Sequence, residues 1–109
     1  MRRSPSLWIM AEEDAEKLRR MSRSMRSPHK AALLFLGYQA LRDFADYALR
    51  GGMPKDVVVR LQSLERLFKL HGLPSGVIGK YVRYARDMAS SRDYTWFGWS
   101  GWGQVGATA

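Results

Sequence analysis

Apolar and polar positions along this chain follow helical spacing through most of its length, and the spacing breaks at a few residues that mark element ends. From Met53-Pro54 to about His71, Val57, Leu61, Leu64 and Phe68 step by four, three and four, the stripe of an amphipathic helix. From Ser75 to about Ser90, Val77, Ile78, Tyr81, Val82, Ala85 and Met88 share one arc of a helical wheel. Gly79, Lys80, Arg83 and Arg86 share the opposite arc.

Upstream, the segment His29–Arg50 reads as a long helix. Its first part, AALLFLGYQAL, is apolar almost all round and marks a central buried helix. Its second part places Leu41, Phe44, Ala45, Ala48 and Leu49 on one face, with Arg42, Asp43 and Asp46 elsewhere. Residues 11–25, AEEDAEKLRRMSRSM, form another helix with acids first and bases last, the order the helix dipole favours. Few apolar residues interrupt it, so it is expected on the surface.

The boundaries carry their own chemistry. Ser27 is an N-cap residue followed by Pro28 at the first helical position, where a missing N–H costs nothing. Gly51-Gly52 and Gly72 are helix stops. The expected fold is all-α: a small bundle of about four helices over residues 11–92. An irregular arm over residues 1–10, with Pro5 and an exposed Trp8, precedes it, and an extended Gly/Trp-rich tail over residues 93–109 follows. At 109 residues the chain suits one domain with a modest core.

Charge changes this picture most. Eighteen Lys and Arg against ten Asp and Glu leave a net charge of +8, which favours an anionic partner, nucleic acid ahead of a membrane surface. Cysteine is absent, which excludes disulfides, thiolate metal sites and thiol catalysis. The opening MRRSPSLWIMA has too short an apolar run for a signal peptide core, and the run Ala31–Leu41 is too short for a membrane span. The expected location is the cytoplasm or nucleoid.

Two basic stretches are candidates for nucleic-acid contact. In RLFKLHGLPSGVIGKYVRYAR (66–86), Gly72 supplies a bend, Leu73 follows it, Ser75 is placed to cap, and Ile78 and Tyr81 face inward. This stretch resembles the helix-turn-helix of DNA-binding regulators, whose second helix enters the major groove. The resemblance implies DNA contact by Lys80, Arg83 and Arg86, with Gly79 allowing close approach of a phosphate. One residue departs from the pattern: Phe68 stands where such modules usually have Ala, and its bulk is expected to push the two helices apart.

The second stretch is KLRRMSRSMRSPHK (17–30). Arg19, Arg23, Arg26 and Lys30 step by four, three and four, with Arg20 beside them, and no acid occurs from Lys17 to Arg42. Arginine at that density suits phosphate backbones without reading sequence. Ser22 follows Arg19-Arg20 in a context that a basophilic kinase could accept.

The tail has a different character. Trp96, Trp99 and Trp102 recur every third residue, with Phe97 beside them and glycines between. It is expected to cover the core or to dock on a protein partner or another copy as aromatic anchors. Base stacking ranks lower, because no base follows Arg92.

Other motifs carry nothing. Residues 101–106 match G-x-G-x-x-G, but that fingerprint works only between a strand and a helix. His29 and His71 have no ligand-spaced partners, and the acids at 12–16 are explained as a helix start, so no catalytic residue, metal site or cofactor is expected.

The leading expectation is a small, non-enzymatic, nucleic-acid-associated protein whose tail docks on a protein. The alternative is a structural subunit of a larger assembly, such as a phage head, neck or tail component located in the virion, or another nucleoprotein complex.

Overall fold

A computed structural model describes residues 4–89, with side chains from Leu7 onward. These residues form four helices and no strand: α1 (Ser4–Ser24), α2 (Pro28–Arg50), α3 (Lys55–Leu70) and α4 (Ser75–Ala89). The sequence-based expectation of an all-α bundle is met. The tail positions Trp96, Phe97, Trp99 and Trp102, and the whole of 93–109, lie outside the described residues.

Short connections of three or four residues force each helix to return antiparallel to the one before. The register follows from cross-helix contacts. Ser22 near the end of α1 donates its hydroxyl to the Ala31 carbonyl in the first turn of α2, 2.7 Å away. Arg60 of α3 pairs with Asp43 of α2 at 2.7 Å. His29 at the start of α2 meets His71 after α3, edge to face, with ring centroids 4.7 Å apart. Tyr81 of α4 reaches Asp14 of α1. The result is a cluster of four helices with the α1–α2 and α3–α4 turns at one end.

Both ends of α2 and the bend at Gly72 are made as the sequence foretells. The Ser27 hydroxyl accepts the Lys30 N–H at 3.2 Å, Pro28 opens α2, and Gly51 closes it in the left-handed region at φ 93°. Gly72 takes φ 70° at the α3–α4 bend, a conformation that costs any residue with a Cβ. Pro54, not Met53, takes the cap of α3, and Met53 drops out of the helix to fill the core. Ser75 is the first residue of α4, inside the helix and not ahead of it.

Three expectations about α1 are corrected. The arm expected over residues 1–10 is helical from Ser4 onward; Pro5 falls in the first turn, where proline is tolerated. Trp8 is half-buried against the core, not exposed. Nor is α1 a surface helix, since Ala11, Ala15 and Leu18 are fully buried. Two of these three are alanines, which add little apolar volume but let α1 approach α2 closely.

The core is organised around Gly37. A Cβ there would stand 2.7 Å from Phe68 Cζ, 3.0 Å from Leu18 Cδ1 and 3.5 Å from Ile78 Cδ1. Side chains from α1, α3 and α4 therefore converge on the one position of α2 that has none. Phe68 does not wedge α3 from α4; its ring tip fills the space above Gly37. Below this layer, Tyr81 packs on Phe44 with centroids 5.2 Å apart, both rings fully buried. Burying side chains of this size stabilises the fold by about 2–3 kcal/mol each.

Candidate nucleic-acid interface

α3 and α4 pack against each other across the bend at Gly72. Glu65 and Gly79, seven residues either side of Gly72, are still in contact: a Cβ on Gly79 would meet Glu65 Oε2 at 2.5 Å. Gly79 is accordingly buried under α3 instead of offered to a phosphate. Leu67 is exposed and Leu73 is buried, and Ile78 and Tyr81 face inward as expected.

The candidate cations fall into three groups. Arg19 and Lys80 are tied to acids of the bundle itself. Arg19 Nε lies 2.7 Å from Glu16 Oε2, a contact that holds the Glu16 carboxyl below its usual range and raises the arginine further. Lys80 Nζ lies 3.1 Å from Asp14 Oδ2.

Asp14 is the hub of the α1–α4 contact. Burial pushes its carboxyl up, but the Tyr81 hydroxyl at 2.6 Å, together with Lys80 and Lys17, outweighs burial and leaves it below the ordinary value. Burial, and then the neighbouring Asp14 charge, push the Tyr81 hydroxyl far above its ordinary value. Asp14 sits in the middle of α1, so its role is this cross-helix bond and not the helix start the sequence offered.

Arg20, Arg23, Arg26 and Lys30 form the second group. They surround the α1–α2 turn and, among the described residues, make no ion pair. Arg66 and Lys69, in the last turns of α3, likewise make no ion pair among the described residues and lie at the same end of the bundle, because the His29–His71 contact brings the two turns together. Sequence reading left this pair out of the site. The run without acids from Arg66 to Arg86 was the available signal, but only topology joins Arg66 and Lys69 to residues forty positions earlier.

Arg83 and Arg86 make up the third group. They are exposed on α4, towards the opposite end.

The bundle is therefore electrically lopsided. The half that holds the α1–α2 and α3–α4 turns, residues 14–39 and 63–82, carries nine bases and three acids. The other half of the described residues, 4–13, 40–62 and 83–89, carries six of each. Ion pairs Arg60–Asp43 and Arg50–Asp46 belong to that balanced half.

No described helix is long and apolar enough to cross a membrane. Among the described residues, no group of three or more His, Asp or Glu is placed to hold a metal ion. Ser22, the residue in a kinase-like context, has its hydroxyl engaged by the Ala31 carbonyl. Comparison with known proteins returns no match to a family model, to a curated protein or to a solved structure.

Proposed function

We propose that this protein is a non-enzymatic nucleic-acid-binding protein that grips the phosphate backbone with the basic end of its bundle. The observation that carries the reading is the excess of nine bases over three acids in one half, against six and six in the other. Among the described residues, Arg20, Arg23, Arg26, Lys30, Arg66 and Lys69 are the cations there without an ion pair, set in and beside the helix ends that flank the α1–α2 and α3–α4 turns. Unpaired arginines need shed no internal partner before meeting a phosphate, and they offer bidentate geometry to it. Such contacts give affinity and orientation without reading base sequence.

The test compares two double substitutions in an oligonucleotide-binding assay. Arg23→Ala with Arg26→Ala removes charge from the basic end and should weaken binding at least tenfold. Arg83→Ala with Arg86→Ala removes the same charge from the balanced half and should change affinity by less than threefold. Equal effects would refute the assignment of the site to the turn end.

A second reading, a subunit of a larger assembly such as a virion component, rests on a different observation. Leu36, Leu67 and Leu70 are all exposed, Leu70 by 75%. Leu36 and Leu67 each lie one heptad from the paired Asp43 and Arg60, so they border the same α2–α3 groove. Under that reading the purified protein runs as an oligomer, and Leu67→Ser with Leu70→Ser makes it a monomer.

A further inference from the structure

α2 was expected to be buried nearly all round its first turns, yet Phe35 is 42% exposed. Its ring lies 5.3 Å from that of Tyr38, at an interplanar angle of 44°. Two arginines lie against Tyr38, which also lines a groove with Glu12, Asp43 and Asp46. The guanidinium carbons of Arg19 and Arg42 each lie 5.8 Å from the Tyr38 ring centroid, and Arg42 Nη1 donates to the Tyr38 hydroxyl at 3.1 Å. Arg23 is one turn beyond Arg19 on α1, and from there the unpaired cations of the α1–α2 turn continue.

An exposed aromatic ring offers a π face that a flat ligand can stack on. Beside a run of cations, that use is stacking of unpaired bases: the ring takes the base and the arginines take the phosphates either side. Paired bases inside a duplex present no such face to a side chain on a helix flank. Tyr38 is engaged by Arg19 and Arg42, and the neighbouring Phe35 ring is the more exposed of the two.

From this geometry we infer that the protein prefers single-stranded nucleic acid, stacking a base on Phe35 while Arg23 and the turn cations hold the flanking phosphates. The inference rests on the nucleic-acid reading above and narrows its substrate. Nothing in it depends on the aromatic tail.

The experiment measures fluorescence anisotropy of a labelled deoxythymidine oligomer of about 20 nucleotides, and of a duplex of similar length, for the full chain and its variants. Phe35→Leu keeps an apolar side chain of similar reach and removes the π face. It should weaken single-strand binding about 5- to 100-fold and leave duplex binding within twofold. Phe35→Trp should retain single-strand affinity.

Single-strand affinity unchanged in Phe35→Leu, or lost in Phe35→Trp, would overturn the inference, even if Arg23→Ala with Arg26→Ala still weakened binding and so upheld the nucleic-acid reading. No binding of either oligonucleotide would overturn both. Co-sedimentation with phosphatidylserine vesicles in place of oligonucleotide binding would assign the platform to a lipid surface and likewise overturn it.

Discussion

Tyr81 of α4 donates its hydroxyl to the Asp14 carboxylate of α1 at 2.6 Å, and this bond joins the first helix to the last. Hydrogen bonds to a charged partner are worth about 1.5–3 kcal/mol. Tyr81→Phe should therefore lower stability by roughly that amount in chemical denaturation. The pH dependence has a defined sign on both sides. Asp14 has a lowered value in the folded state, so its contribution is full above the ordinary 3.8 and fades as pH falls through the depressed value. Tyr81 has a raised value, so its contribution is full below 10.0 and fades above it. Tyr81→Phe should flatten the alkaline limb of the stability–pH curve; an unchanged limb would show that the hydroxyl is not the group responsible.

Gly37 and Phe68 form a lock of complementary volumes. Gly37→Ala gains about 1 kcal/mol of helix propensity but places a methyl 2.7 Å from the Phe68 ring. Overpacking of this kind costs about 1–3 kcal/mol, so the variant should be less stable than the parent. Combining it with Phe68→Leu should recover part of the loss. A double-mutant cycle read by urea unfolding measures the coupling, and additive effects would contradict the convergence on Gly37.

Gly72 holds φ at 70° in the α3–α4 bend with open space around the position a Cβ would take. Gly72→Ala should cost about 1–2 kcal/mol through backbone strain alone. Gly52→Ala, with no positive φ and no neighbour, is the control and should be near neutral in the same thermal melts.

Local chemistry was legible in the sequence where one or two residues decide it. Ser27 and Pro28 announce the start of α2, Gly51 its end, and the Val57–Phe68 stripe the inner face of α3. Readings failed where partners distant in the chain decide. The hidden face of α1 depends on Ala11 and Ala15, whose value lies in letting α2 approach and not in apolar bulk. Phe35 reads like its buried neighbours because an all-apolar stretch gives no phase for the exposed side. Gly79 falls on the basic arc of α4, and only the return of α3 with Glu65 shows it to be covered. Arg66 and Lys69 join Arg20–Lys30 through the His29–His71 contact, which no local pattern contains.

The central claim is that the turn end of the bundle binds nucleic acid by releasing counterions from phosphates. Its most direct measurement is the dependence of oligonucleotide affinity on salt. Six unpaired cations engaged with a single strand predict a slope of about −4 for log K against log salt concentration. Loss of Arg23 and Arg26 together should reduce that slope by about 1.4. An affinity that does not change with salt, or no binding at low salt, would contradict the account.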